Sequence, residues 1–221
     1  MTTTPTAATQ TVHLAQLHLA ARSRDVHRDL KDATRLHTTI QALFPDALGP
    51  APRTATNTLY RIEREQTGAL LLIQSTLPIN RNALPSGYAS QVEYRDLGPL
   101  LNWVDEGRVV RFRIDANPIK SVPVPGARRG KRVPVSGEEA LAWWERQAGR
   151  AGLANQLVLD LPQPDVLGSR SESKGIRLRA MRFEGVATVT DPEALRTAIT
   201  TGIGQGRAYG LGLLSIAPYR S

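Results

Sequence analysis

The stretch GIRLRAMRFEGVATVTDPEALRTAITTGIGQGRAYGLGLLSIAP, residues 175–218, decides how the fold is read. Up to Thr190 it reads as one long strand. Asp191-Pro192-Glu193 then opens a helix that ends at Gly202, with proline at a first-turn position where its missing N–H does no harm. Five glycines lie between Gly202 and Gly212. Leu211, Leu213, Leu214, Ile216 and Ala217 follow as a final strand closed by Pro218. The two familiar nucleotide sites do not fit the glycines. A dinucleotide fingerprint requires G-x-G-x-x-G with an acidic residue about 20 positions on, and a P-loop requires Gly-Lys-Ser/Thr leading into a helix. The run therefore serves as an αβ connection, valued for positive φ and close backbone approach.

Working upstream, RVVRFRIDANPIK reads as a strand that turns at Asn117-Pro118. Ser136 and Glu139 have capping-box spacing before the helix EEALAWWERQAGR, and NQLVLDL is another strand. The second half thus runs β-α-β-β-α-β, a ferredoxin-like unit. The first half follows the same order less sharply. TVHLAQLHLA is a strand, Asp29 to Phe44 a helix, and NTLYRIER and GALLLIQS a hairpin around Gln66 to Gly68. A Gly/Pro-punctuated stretch then passes through Tyr94, Pro99 and Trp103. The expected organisation is a disordered tail (1–10), an N-terminal ferredoxin-like domain (11–96), a linker (97–107) and a C-terminal ferredoxin-like domain (108–221). Trp143 and Trp144, on an amphipathic helix, are expected as core and rim.

Composition narrows the partner. The chain has 221 residues and a formal charge of +8, with a pI near 10.4. Residues 108–132 hold eight Lys or Arg against the single acid Asp115, which reads as a cationic patch suited to a polyanion. No apolar run is long enough to span a bilayer, and MTTTPTAATQ has no signal-peptide pattern, so a cytoplasmic protein without membrane attachment is expected. The absence of cysteine removes thiolate chemistry and cysteine zinc sites. The four histidines, His13, His18, His27 and His37, have no metal-ligand spacing, so neither metal nor cofactor is expected. Aromatics are only 5% of residues and no RNP1 motif appears, which disfavours base-stacking readout of single strands. A basic, aromatic-poor surface suits the phosphates of a duplex or hairpin.

Three segments carry a resemblance: RDLKDATRLHTTIQALFP, FRIDANPIK, and FEGVATVTDPEAL followed by GIGQGRAYGLGLLSIAP. In order and separation they resemble the CasE family of CRISPR-associated endoribonucleases, the Cascade subunit of type I-E systems that cuts precursor CRISPR RNA within each repeat. The resemblance spans Thr11 to Pro218. It implies two tandem ferredoxin-like (RRM-like) βαββαβ domains with antiparallel sheets, and metal-independent cleavage of a repeat hairpin. In the chemistry so implied, the 2′-hydroxyl beside the scissile phosphate attacks in line and leaves a 2′,3′-cyclic phosphate. It further implies retention on the mature CRISPR RNA and assembly with other Cascade subunits.

By the same resemblance His37 stands at the catalytic-histidine position. Its context agrees, because Leu30, Ala33, Leu36, Ile40, Leu43 and Phe44 form a helical apolar stripe with His37 at the edge beside Thr34 and Gln41. An ordinary imidazole titrates near 6.5 and serves as proton acceptor or donor. Periodicity alone favours a packed, hydrogen-bonded histidine, and it is the resemblance that turns the reading toward catalysis. The family commonly has a tyrosine three residues earlier, where this chain has Thr34, a candidate helper through its hydroxyl. Arg207, with Gly204 and Gly206, matches the glycine loop and is expected at phosphate. Lys120 belongs to the FRIDANPIK segment, and Arg128, Arg129 and Lys131 to a basic loop. Arg170, Lys174, Arg177 and Arg179 fall where the family places a basic hairpin in the RNA groove. Asp115 stands where a basic residue is usual, which weakens the patch locally. A catalytically silent RNA-binding subunit and a generic basic RNA-binding protein are the alternative readings.

Overall fold

The computed structural model describes residues 11–45, 55–65, 68–126, 128–169 and 175–220. In the first half, β1 (His13–Leu19) is followed by α1 (Arg24–Lys31), α2 (Ala33–Gln41), β2 (Leu59–Glu65), β3 (Gly68–Ser75) and β4 (Ala89–Asp96). The short α3 (Gly98–Trp103) leads into the second half: β5 (Val109–Ala116), β6 (Ile119–Val122), β7 (Lys131–Pro134), α4 (Glu138–Arg150), β8 (Leu153–Gly168), β9 (Ile176–Val189), α5 (Pro192–Thr201) and β10 (Ser215–Pro218). The strands form two antiparallel four-stranded sheets, ordered β2-β3-β1-β4 and β10-β5-β9-β8, while β6 and β7 pair as a separate hairpin. In each sheet the strand that comes first in the chain is central and flanked by that sheet's third and fourth strands in chain order. This is the ferredoxin-like order anticipated from the sequence.

Side-chain alternation sets which face each sheet buries. Ala15, Leu17 and Leu19 of β1 join Leu36 and Ile40 of α2 in the first core. In the second, the Trp144 ring stacks on Phe183 at 5.5 Å and lies 5.2 Å from Phe112. Trp143 is also buried and 6.0 Å from Phe183, so the expected rim position is core as well.

Four local expectations need correction. The single helix expected over Asp29 to Phe44 is two helices, broken at Asp32, whose extended backbone (φ −137°, ψ 105°) lets its side chain cap Thr34 N and Arg35 N. A short acidic side chain that competes for backbone N–H groups ends one helix and starts the next. The Ser136/Glu139 capping box does not form. Gly137 occupies the N-cap at φ 56°, and Glu139 instead pairs with Lys120. The last strand is confined to Ser215–Pro218, because Gly210 and Gly212, at φ 82° and 87°, turn Leu211, Leu213 and Leu214 into buried positions off the ladder. The β3–β4 connection contains a 3-10 turn, Arg81–Ala83, where the second half has a full helix. Pro78, Pro85 and Gly87 break that stretch.

Residues 97–107, read as a linker, carry α3, and Leu101 and Val104 are buried in the second core. Arg196 of α5 donates to the carbonyls of Leu101 at 2.9 Å and Val104 at 2.6 Å, satisfying groups at that helix end.

The two sheets are joined by a buried arginine. Arg61 of β2, only 2% exposed, donates Nε to Glu63 at 2.8 Å and reaches the carbonyls of Leu213 at 2.9 Å and Arg113 at 3.2 Å, and Ser215 Oγ at 3.0 Å. Burial pushes the Glu63 carboxyl up, but Arg61, Arg182 and Arg113 outweigh it and hold the group below the usual carboxylate range. Beside this network Leu59, Leu72 and Leu213 form a small apolar cluster, and Gln74 Nε2 donates to the Ile199 carbonyl at 2.7 Å. Arg61→Ala should therefore lower the unfolding free energy by about 3–5 kcal/mol, because it strands buried acceptors and an acid. Urea denaturation measures this, and a loss below about 1 kcal/mol would remove Arg61 as the joint between the halves.

Candidate active site

The N-terminus of α2 is tied to the far end of β8. Asp32 Oδ1 accepts from Thr34 N at 2.9 Å and from Ser169 N at 3.1 Å, and Thr34 Oγ1 donates to the Ser169 carbonyl at 2.9 Å. Hydrogen bonding from the Ser169 side chain holds the Asp32 carboxyl below the usual range. Burial opposes this, and the backbone N–H groups of Ser169, Thr34 and Arg35 reinforce it. Its contribution to stability is present above the ordinary carboxylate pKa and is lost as pH falls through the lowered one.

His37 follows one helical turn after Thr34 and is half-buried. Its ring centroid lies 6.0 Å from that of Tyr209, with the planes tilted by 59°. Tyr209 ends a 3-10 turn, Arg207–Tyr209, within the glycine-rich run. The two glycines that flank this turn, Gly206 and Gly210, have φ of 85° and 82°, a region that L side chains enter at a penalty. A Cβ on Gly210 would also stand 2.9 Å from the Tyr60 ring, and one on Gly206 would stand 2.9 Å from Leu211 Cδ1. Tyr60 holds the turn from beneath by donating to the Ala208 carbonyl at 2.9 Å. Burial, with Tyr209 and Asp29 adding to it, raises the Tyr60 phenol's pKa, so it remains a donor. Gly212 N donates to the Asp115 carbonyl at 2.6 Å, which anchors the run to β5. Gly204 lies over the Trp143 ring. Left-handed backbone and close packing thus account for these glycines, and both Arg207 and Tyr209 are partly exposed on the turn.

Several of the expected cations are engaged by other groups of the protein. Arg207 Nη1 donates to the Thr201 carbonyl at 2.8 Å, which occupies part of its guanidinium. Arg128, Arg129, Lys131 and Arg179 are exposed. Lys120 is paired with Glu139, and Arg177 with Asp165 at 2.8 Å. Arg113 bonds Glu184 at 2.7 Å, and Arg108 lies over the Trp103 ring at 5.2 Å. Asp115 is buried and accepts two bonds from Arg182, at 2.7 and 2.9 Å, so it does not dilute a surface patch. Arg132 Nη1 reaches Gln205 Oε1 at 2.9 Å and ties the β6–β7 hairpin to the glycine run. Arg170 and Lys174 lie outside the described residues.

The contacts thus join α2 to the glycine run through His37 and Tyr209, α2 to β8 through Thr34, and the basic hairpin to the run through Arg132. Tyr209, Arg61 and Arg182 were not singled out from the sequence. For Tyr209 the only signal is a lone aromatic among small residues; the two arginines sit on strands and look like solvated positions. Among the described residues there is no group of three or more His, Asp or Glu able to hold a metal ion, and no helix is long and apolar enough to cross a membrane.

Two antiparallel ferredoxin-like sheets, with a histidine-bearing helix of the first set against a glycine-rich turn of the second, define a tandem ferredoxin-like protein. The chain belongs to the family described as CRISPR associated protein, whose model matches residues 12–218. It is 30% identical over 220 residues to the CRISPR-associated endoribonuclease Cse3 of Thermus thermophilus, covering 93% of this chain and 99% of that one. It is 29% identical over 199 residues to the CRISPR system Cascade subunit CasE of Escherichia coli (strain K12), covering 85% and 93%. A solved structure of CRISPR endoribonuclease Cse3 bound to 19 nt RNA superposes with a TM-score of 0.79 at 30% identity, covering 94% of this chain and all (100%) of that one.

Proposed function

We propose that this protein is a metal-independent endoribonuclease that cleaves the repeat hairpin of precursor CRISPR RNA. It then stays on the mature CRISPR RNA as a subunit of a type I-E Cascade complex in the cytoplasm. The observation that carries the reading is the approach of His37 to the glycine-rich turn, in a chain that its family matches from residue 12 to 218. The names of the two relatives, an endoribonuclease and a Cascade subunit, support the same reading.

The N-terminal domain, 11–96, supplies the proton-transfer group, and the C-terminal domain, 108–221, supplies the RNA contacts. His37 takes the proton of the 2′-hydroxyl as that oxygen attacks phosphorus. Thr34, one turn earlier and bonded to Ser169, sets the helix that carries His37. Arg207 and the backbone at Gly204 and Gly206 approach phosphate. Lys120, Arg128, Arg129, Lys131, Arg177 and Arg179, with Arg170 and Lys174, hold the hairpin by charge.

The test is incubation of the protein with an end-labelled repeat hairpin, with and without EDTA. One cut per repeat, at equal rate in both conditions, is expected. A strict magnesium or manganese requirement would contradict the mechanism, and binding without any cut would leave the protein a silent RNA-binding subunit.

A further inference from the structure

In-line attack places the entering and departing oxygens on opposite sides of phosphorus. A histidine that takes the 2′-proton is therefore on the wrong side to protonate the 5′-oxygen in the same passage. We infer that Tyr209 is the second catalytic residue, the general acid whose phenol protonates the 5′-oxygen as it leaves. This rests on the endoribonuclease reading of the His37 site.

Four observations single out Tyr209. Its ring stands 6.0 Å from the His37 ring and tilted by 59°, beside the imidazole rather than stacked on it. The hydroxyl one turn before His37, Thr34 Oγ1, has its proton committed to the Ser169 carbonyl at 2.9 Å. Two neighbouring phenols are similarly engaged, Tyr60 with the Ala208 carbonyl at 2.9 Å and Tyr88 with Asp29 at 2.8 Å. Tyr209, by contrast, is partly exposed, and among the described residues no protein group accepts its proton.

The backbone that carries the phenol is held on three sides. Tyr60 bonds the preceding carbonyl, Arg207 bonds Thr201, and left-handed glycines flank the turn. A group held in place before substrate arrives loses little freedom in reaching the transition state. Phenols as a class keep their proton at neutral pH, which suits a donor rather than an acceptor. In the step, the O2′–P bond forms and the P–O5′ bond breaks. The 2′-proton passes to His37, and the phenol's proton passes to the departing 5′-oxygen. The products are a 2′,3′-cyclic phosphate and a 5′-hydroxyl, after which imidazolium and phenolate exchange a proton through solvent.

Tyr209→Phe keeps the ring and removes only the hydroxyl. Single-turnover rates are measured on two repeat hairpins, one natural and one with sulfur in place of the bridging 5′-oxygen, since a thiolate departs without being protonated. On the natural hairpin the variant should be slower by about 10²- to 10⁴-fold. On the sulfur hairpin it should stay within a few-fold of wild type, with hairpin affinity unchanged on both. Equal rates of variant and wild type on the natural hairpin overturn the proposal while leaving the endoribonuclease reading intact. So does an equal loss on both hairpins, which would make Tyr209 a positioning side chain. Wild-type protein that cuts neither hairpin overturns both readings. If Tyr209→Phe does not fold, a fluorinated tyrosine at 209, similar in size but more acidic, gives the same test. It should shift the pH profile on the natural hairpin only, and an unshifted profile there overturns the proposal.

Discussion

A repeat hairpin with a single 2′-deoxy nucleotide immediately before the scissile phosphate should bind this protein with nearly unchanged affinity and not be cut. The nucleophile in the proposed reaction belongs to the RNA, so removal of one oxygen removes the reaction, whatever the protein side chains do. Binding should persist, because the cations proposed to hold the hairpin meet phosphates rather than that hydroxyl. Separate measurements of affinity, by titration, and of cleavage, in a single turnover with protein in excess, keep the two effects apart. Robust cutting of the deoxy hairpin would mean that water or a protein side chain attacks phosphorus, and the cyclic-phosphate chemistry would fall with it.

His37→Ala should reduce cleavage by about 10²- to 10⁴-fold, the range that a positioned proton-transfer group usually supplies. The fold should survive. Position 37 lies within α2 and is only half-buried, and alanine is the best helix former, so the capped helix between Asp32 and Ala42 keeps its stability. Hairpin affinity should also hold, since the exposed arginines are untouched. The informative control is Thr34→Ala. It releases the bond to Ser169 without touching the imidazole, so it should disturb the seating of α2 against β8 more than the chemistry. Unchanged cleavage by His37→Ala would place the active site elsewhere and leave the meeting of α2 with the glycine-rich turn as packing alone.

The strands and most helices were legible because their signals are local. Alternation in RVVRFRIDA and in GIRLRAMRFEGVATVT matches β5 and β9, and Asp191-Pro192 marks the start of α5 within a residue, with Asp191 accepting from Ala194 N at 3.0 Å. At two places where the reading failed, a non-local partner had won. Glu139 has capping-box spacing, but Lys120 on the neighbouring hairpin claims it. Asp115 looked like a surface acid within a basic segment, yet Arg182 on the adjacent strand takes it into the interior. Such outcomes depend on strand register. Asp115 faces Arg182 and Arg113 faces Glu184 across β5 and β9, and spacing along one strand carries no record of the partner opposite.

The candidate site divides in the same way. The amino-acid sequence by itself determined the family signature, the place of His37 on the edge of an apolar helical stripe, and the need for left-handed backbone around Arg207, because periodicity and glycine spacing are properties of a few neighbouring residues. Only the tertiary structure decided that the helix and the glycine-rich run meet, that Tyr209 is the ring beside His37, and that Arg61, on a strand ending in charged residues, is buried where it joins the two sheets. The physical reason is that each contact unites segments remote in the chain. Its geometry is set by the packing of one sheet against the other, and no local preference of either segment encodes that packing.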